Sequence, residues 1–186
     1  MKLFMGVFNI DYLNGTETEK NLFRTFAVES RTNNIYIMFA EKARYEGYLW
    51  IAEIFERIAG NELAHSRAAY KKFLGLIRNT EDNLKYGVER EDEVAELYKT
   101  YEKIALEEGL DEIARFYKEL REAEESHAEI YTDLFKRFEN GIFSSNNPIR
   151  WVCMNCGYIH EGEKAPNDCP CCGYPKAYFM PKCNPE

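Results

Sequence analysis

The sequence contains an internal repeat whose shared residues are of types that bind metal ions. Four positions of the first half have identical counterparts in the second half, each 62 residues further along the chain. The two sets are Glu29, Tyr36, Glu62 and His65, and Glu91, Tyr98, Glu124 and His127. Because glutamate and histidine side chains are metal ligands, the duplication predicts a carboxylate site for two metal ions, built from two similar halves.

Each half of the repeat is predicted to form a helical hairpin. Between residues 17 and 140, apolar residues recur at steps of three and four in four long stretches, which is the period of amphipathic helices. Thr16 or Thr18 can cap the first helix, and the third helix is expected to begin near Thr80. Glycines are expected at the helix ends, namely Gly47, Gly109 and Gly141. Two hairpins predict an all-α four-helix bundle.

The connection between the second and third helices is predicted to be short. It covers roughly residues 75–83, and about nine extended residues reach about 30 Å. A ferritin-like bundle needs one long connection that runs along the bundle. The predicted segment is only just long enough for that role.

Six of the repeated residues lie on the apolar faces of their helices, where an unpaired charge is costly. They are Glu29, Glu62, His65, Glu91, Glu124 and His127. One Glu-x-x-His pair alone indicates little, since a histidine often forms ordinary hydrogen bonds in a protein core. Two such pairs, each with a partner glutamate at the same distance, match the arrangement by which helical bundles hold two irons or manganeses.

Tyr36 and Tyr98 repeat together with these residues, and two roles are open for them. An inward tyrosine usually packs in the core with its hydroxyl group hydrogen-bonded. The hydroxyl group could equally bond a carboxylate that binds metal. Both tyrosines are therefore counted among the candidate catalytic residues.

The cysteines form a second candidate metal site. All six follow residue 150, and four of them form two C-x-x-C pairs, namely Cys153, Cys156, Cys169 and Cys172. Four thiolates at this spacing are typical of a site for one iron or one zinc. Cys171 is expected to point away from it, and Cys183 is expected to be a tail thiol. Trp151, Tyr158 and Phe179 are expected to form a small core around the metal.

Composition and charge exclude several classes of protein. The net charge of -8 argues against a nucleic-acid partner. No apolar run approaches the roughly 20 residues that a membrane helix needs, and the apolar residues 1–13 lack a signal-peptide cleavage site. Cysteines clustered as C-x-x-C pairs favour a metal site in the reducing cytoplasm.

The chain is therefore predicted to consist of a bundle and a small domain that a metal holds together. Residues 1–16 are expected to form an N-terminal arm, and residues 17–140 the bundle. Turn-forming residues predict a linker over 141–150. Residues 151–186 are too few for a large core and are expected to depend on their metal.

These motifs resemble those of the rubrerythrin family. The stretch from Thr18 to Ser30 resembles the first helix of that family. The segments Trp151–Gly162 and Cys169–Phe179 resemble its C-terminal rubredoxin-like domain. The resemblance covers about residues 17–180 and implies a ferritin-like di-iron bundle followed by a rubredoxin-like domain.

The resemblance implies a di-iron peroxidase that reduces hydrogen peroxide to water in defence against oxidative stress. Electrons would come from NAD(P)H through a reductase or a rubredoxin-type carrier, and then through the rubredoxin-like iron. The six glutamates and histidines would bind two irons, with Glu62 and Glu124 as bridges, and the four cysteines would bind the third. Manganese or zinc could occupy the pair in isolated protein, and zinc the cysteine site. The resemblance also implies a homodimer or a higher homo-oligomer, in which one subunit's rubredoxin-like iron lies near the other's di-iron site.

One position departs from the family pattern. The family has a further glutamate three residues after its third-helix ligand, where this chain has Val94. Glu93, the nearest carboxylate, lies about 200° around the helix from Glu91 and is expected to face away. This difference leaves open a ferritin-like iron oxidase that uses dioxygen. A non-catalytic electron-transfer or metal-clamped protein is a third interpretation, which zinc in the cysteine site would favour.

Overall fold

The computed structural model describes residues 11–182, which form two compact units divided between residues 78 and 79. The first ten residues of the predicted N-terminal arm and Cys183 lie outside the described residues. Residues Asp11–Leu13 form a short 3-10 turn that precedes the first helix.

The first unit is a hairpin of two helices, α1 (Glu17–Tyr45) and α2 (Leu49–Arg67). Thr16 caps α1, because its hydroxyl oxygen accepts a hydrogen bond from the Glu19 N–H at 3.1 Å. Gly47 makes the turn between the helices with a φ of 87°, a conformation that favours glycine. A π-helical turn, Ala68–Phe73, continues α2 and brings Tyr70 against Phe26, with ring centroids 4.6 Å apart.

The second unit begins with a matching hairpin, α3 (Thr80–Glu107) and α4 (Asp111–Glu139). Asn79 caps α3 by accepting a hydrogen bond from the Asp82 N–H at 2.9 Å. Gly109 and Gly141 follow the two helices with positive φ angles, as Gly47 does in the first hairpin. The prediction of four helices in two hairpins is confirmed.

Small side chains form the buried part of both hairpins. The only buried residues in the four helices and the π-helical turn, all of which are described, are alanines and one serine: Ala40, Ala43, Ala52, Ala59, Ser66, Ala69, Ala95, Ala105, Ala114 and Ala128. Their large apolar side chains therefore remain at least partly exposed. None of the helices within residues 11–182 has the length and apolarity needed to cross a membrane.

Gly87 of α3 allows close contact with α4 and provides a test of the packing. A Cβ atom at this position would lie 3.1 Å from the Tyr131 ring, whereas one at Gly60 of α2 would have no atom within 4 Å. We expect Gly87→Leu to lower the free energy of unfolding by about 1–3 kcal/mol through overpacking. The control Gly60→Leu should raise it by about 0.5–1 kcal/mol, since leucine favours helix. Equal shifts in urea unfolding of the two metal-loaded variants would contradict this packing.

The second unit continues into a small antiparallel sheet. Strands β1 (Ser144–Cys153), β2 (Ile159–Lys164) and β3 (Phe179–Pro181) lie in the order β2-β1-β3. β1 begins inside the predicted linker, so that residues 144–150 belong to a strand. Pro148 and a register irregularity between Ser144 and Ile149 break the regular alternation by which a strand is recognised in a sequence.

Three aromatic residues contribute to the core of this sheet region, as predicted. Trp151 and Phe179 are buried together with two cysteines and Ala165, and Tyr158 packs against them. The Trp151 indole N–H donates a hydrogen bond to the Gly162 carbonyl at 2.9 Å. The core therefore surrounds the start of the first C-x-x-C pair.

Candidate metal centres

The first hairpin brings three predicted ligands together. Glu29 comes from α1, and Glu62 and His65 come from one face of α2, because a spacing of three residues is close to one helical turn. His65 Nδ1 lies 3.1 Å from Glu62 Oε2 and 3.8 Å from Glu29 Oε2. The histidine side chain remains 60% exposed.

The second hairpin repeats this geometry with its own three residues. His127 Nδ1 lies 2.9 Å from Glu124 Oε2 and 3.9 Å from Glu91 Oε2. His127 is 54% exposed, whereas both glutamates are mostly covered. The sequence duplication is thus also a duplication of side-chain geometry.

In each hairpin, the pKa values of the two paired carboxyl groups are shifted in opposite directions. The pKa of Glu29 is raised, first by its hydrogen bond with Glu62 and then by burial, while the same hydrogen bond lowers the pKa of Glu62. Burial and Glu124 raise the pKa of Glu91, and His127 is the main cause of the lowered pKa of Glu124. Two adjacent carboxylates repel each other, so that ionisation of one makes ionisation of the other less favourable.

The residues of each hairpin fit a divalent metal ion. The candidate ligand atoms within each group lie within 4.8 Å of one another. Two atoms bound to one ion at about 2.1 Å can lie up to about 4.2 Å apart, so small side-chain adjustments suffice. A cation between the carboxyl groups would also offset their mutual repulsion and favour the ionised form of both.

Aromatic clusters lie further along each hairpin. Tyr36 packs between Phe39 and Phe55, with ring centroids 6.1 and 5.9 Å away. In the second hairpin the corresponding positions are all tyrosines: Tyr98, Tyr101 and Tyr117, with centroid separations of 5.4–6.3 Å. The sequence analysis did not count Tyr101 and Tyr117 among the candidate site residues, although the offset of 62 residues relates them to Phe39 and Phe55.

Glu93 faces away from the ligands of its hairpin. Its carboxylate lies 3.4 Å from the Arg90 guanidinium group, and its side chain is 70% exposed. Val94 is half-buried. Within the described residues, the carboxylates of this hairpin that gather around His127 are those of Glu91 and Glu124.

The four-cysteine site is built from two knuckles with the same backbone hydrogen bonds. The first cysteine of each pair donates its N–H to the carbonyl five residues later, from Cys153 to Tyr158 at 2.9 Å and from Cys169 to Tyr174 at 2.7 Å. A glycine with positive φ follows each second cysteine, and its N–H returns to the first cysteine's carbonyl at 2.8 Å. This turn places both sulfurs of a pair on one side of the chain.

The sulfur atoms have the spacing of a tetrahedral metal site. The Sγ atoms of Cys153 and Cys172 are 3.8 Å apart, and those of Cys156 and Cys169 are 3.7 Å apart. A metal–sulfur distance of about 2.3 Å gives sulfur–sulfur distances of about 3.8 Å in a tetrahedron. The cysteines thus already have the arrangement that one iron or zinc requires.

The thiol groups of the site also differ in acidity. A hydrogen bond from the Tyr174 backbone N–H is the main cause that lowers the pKa of Cys172, to about 6. The Tyr158 N–H lowers the pKa of Cys156, but hydrogen bonds to the other cysteines, with burial, raise it more. One thiolate is therefore available to begin metal binding near neutral pH.

Cys171 and Cys172 are adjacent, and substituting each in turn tests the assignment of the ligands. Cys172 belongs to the cluster, whereas Cys171 is exposed and outside it. We expect Cys172→Ser to remove the visible absorption of a thiolate-bound iron, because one of four thiolate ligands is lost. Cys171→Ser should keep the full absorption. Loss of absorption in both variants, or in Cys171→Ser alone, would contradict the assignment.

Comparisons with known families match both parts of the chain. A family model described as rubrerythrin matches residues 20–135, and one described as the rubredoxin-like domain of rubrerythrin matches residues 151–180. The first spans most of both helical hairpins, and the second contains all four clustered cysteines.

Individual relatives align over most of the chain. The rubrerythrin of Nitratidesulfovibrio vulgaris is 37% identical over 182 residues, which cover 90% of this chain and 95% of that protein. The rubrerythrin of Clostridium perfringens is 36% identical over 185 residues, which cover 90% and 95%. A solved structure of nigerythrin in a mixed-valence state is 27% identical, covers 90% of this chain and 87% of its own, and gives a TM-score of 0.34.

Proposed function

The chain belongs to the rubrerythrin family, and on that premise we propose that it is a non-haem peroxidase that reduces hydrogen peroxide to water. Membership implies an oxidoreductase of oxidative-stress defence with a di-iron site and a rubredoxin-like iron. The observation that best supports the proposal is one chain carrying two matching Glu, Glu, His groups and a tetrahedral four-cysteine group.

Six residues are proposed to hold the iron pair: Glu29, Glu62, His65, Glu91, Glu124 and His127. Glu62 and Glu124 are the proposed bridges, and each contacts both other members of its group. When bound, the iron pair would supply two electrons and would polarise peroxide, which is the chemistry that O–O cleavage without release of radicals requires. With two protons taken up, both oxygens leave as water.

Tyr36 and Tyr98 are proposed to donate protons during this reaction. Each lies seven residues after the first glutamate of its hairpin, which is close to two helical turns on the same face. Ring contacts with Phe55 and Tyr117 hold their orientation. Each phenol group therefore lies on the same helix face as the first glutamate of its hairpin.

Electrons are proposed to enter at the four-cysteine site from a reductase or rubredoxin-type carrier that draws on NAD(P)H. Cys153 and Cys169 are buried, whereas Cys156 is exposed. A partner can therefore approach the site from the side of Cys156. A reducing compartment such as the cytoplasm would keep these thiols free to bind metal, and a homodimer or higher homo-oligomer is the proposed assembly.

Anaerobic stopped-flow mixing of the fully reduced protein with hydrogen peroxide tests the proposal. We expect the iron to be oxidised within seconds, with one peroxide consumed for every two electrons. The same experiment with dioxygen should be slower. Iron that stays reduced after mixing with peroxide would show that the protein is not a peroxidase.

Val94 supports a second candidate function. Together with the outward position of Glu93, it leaves three candidate ligands per hairpin, a symmetric set closer to that of ferritin-like iron oxidases. Such an oxidase would consume dioxygen and added ferrous iron catalytically and would retain its iron weakly. Faster oxidation by dioxygen than by peroxide would therefore favour this second function.

A further inference from the structure

The geometry of the helices sets the length of chain that a ferritin-like bundle needs between α2 and α3. In that bundle one long connection returns the chain to the opposite end, so that these two helices run parallel. Glu62 lies eleven residues before Phe73, and Glu91 lies eleven residues after Thr80. At about 1.5 Å per residue, each offset is about 16.5 Å. If Glu62 and Glu91 bind one metal pair, a connection within one chain must therefore span about 33 Å.

The connection in this chain is shorter than that distance. Seven peptide steps join Phe73 to Thr80 and reach about 25 Å when fully extended. The Leu76 N–H also donates a hydrogen bond to the Tyr70 carbonyl at 3.3 Å, which leaves four steps, about 14 Å, to the start of α3. A longer reach would require unwinding the π-helical turn and breaking its hydrogen bonds.

The helices also leave apolar surface and candidate ligands uncovered. Neither hairpin covers its own histidine, since His65 and His127 are the most exposed members of their groups. Large apolar side chains such as Phe39 and Phe116 are about half-exposed, because the helices bury only small residues. Extended apolar surface of this kind is typical of protein–protein interfaces. Each hairpin therefore has surface that another protein can cover.

We infer that the α1–α2 hairpin of one chain pairs with the α3–α4 hairpin of a second copy of the chain. Each bundle of the resulting dimer takes its six metal ligands from two chains, and the dimer contains two such bundles. A second copy is the occupant because its other hairpin supplies the three missing ligands in the same pattern. The short connection then joins two different bundles and does not have to span either one. This inference rests on the six-ligand site of the proposed function.

Two complementary variants of the full chain test this pairing. One carries Glu62→Gln with His65→Gln, and the other carries Glu124→Gln with His127→Gln. Glutamine removes the ligand charge and keeps a long helix-forming side chain, and circular dichroism checks that the helices remain. The two chains are co-expressed with different affinity tags, and the mixed dimer is purified through both tags. The metal held after dialysis against a chelator is then counted, with the rubredoxin-like iron determined separately from its visible absorption.

The mixed dimer is expected to hold a metal pair, which neither variant alone can hold. In a dimer of either variant alone, both bundles lack two ligands, so neither should hold a metal pair. In the mixed dimer, one bundle carries all four substitutions and the other carries none. We therefore expect one metal pair per mixed dimer and half of the peroxide-reducing rate of the wild-type dimer.

The other outcomes overturn the inference in distinguishable ways. A mixed dimer without a metal pair, when the wild type holds its pairs, would show that each site is built within one chain and would leave the proposed function intact. One pair per dimer in each variant alone would show that like hairpins pair with each other. Failure of the variants to co-purify, when tagged wild-type chains do so, would also overturn it. A wild-type protein without metal pairs would overturn the proposed function, and the inference with it.

Discussion

Replacing Glu124 with glutamine is expected to remove the metal pair and to lower the rate of peroxide reduction at least about 100-fold. Glu124 is a proposed bridge, and its carboxylate lies 2.9 Å from His127 and is hydrogen-bonded to Glu91. A neutral amide cannot offset the charge of two cations. Loss of residues that merely support metal ligands costs about 10–100-fold, so loss of a bridge is expected to cost more. Iron content and the rate of peroxide consumption measure the effect.

The neighbouring residue provides a matched control for this substitution. Glu125 lies on the same helix but is exposed, and it accepts a hydrogen bond from Arg121 at 2.7 Å. An exposed ion pair of this kind contributes about 0–1 kcal/mol to stability. Glu125→Gln should therefore keep its iron and its rate within about twofold of the wild type. A Glu124→Gln protein with full iron content would contradict the assigned role.

Removing the metal from the four-cysteine site is expected to unfold residues 144–182 while the four helices remain folded. The core of this region is small and includes two of the cysteines themselves. Metal binding to small four-ligand sites provides about 10–16 kcal/mol of apparent folding free energy. Trp151 is 0% exposed, so its fluorescence should shift to the red as water reaches the indole ring.

A variant with one tryptophan makes this measurement specific. Trp50 is 77% exposed and would mask the change, so the experiment uses the Trp50→Phe protein. The helical circular dichroism signal should stay nearly constant during chelation, and added iron should restore the Trp151 emission. Unchanged Trp151 emission after complete metal removal would show that the core is stable without metal.

The helical part of the fold could be predicted because its signals are local. The Thr16 cap, the third helix near Thr80 and the turn at Gly47 each depend on a few adjacent residues. The two knuckles follow equally from cysteine spacing and the glycines after Cys156 and Cys172. The start of β1 at Ser144 was missed, because its pairing with β2 depends on residues more than ten positions away.

The sequence predicted which residues form the candidate site, but it did not predict the structure around them. Regular helical spacing cannot indicate the wider turn at Ala68–Phe73, which shortens the connection to α3. The cluster that Tyr101 and Tyr117 form with Tyr98 can be recognised in the sequence only when the two halves are aligned. The ligands themselves carry no signal for the inferred pairing of hairpins between chains, because both hairpins offer the same three residue types; the signal lies in the short connection between α2 and α3.

Mössbauer spectroscopy of protein loaded with isotopically enriched iron, together with its iron content, tests the existence of a coupled iron pair most directly. The proposed ligands predict about three irons for each chain in the dimer. Two of these irons form a coupled pair, and one has four sulfur ligands. Peroxide added to the reduced protein should convert the ferrous pair to the ferric state within seconds. Isolated single irons, or a pair that stays ferrous after peroxide is added, would contradict this account.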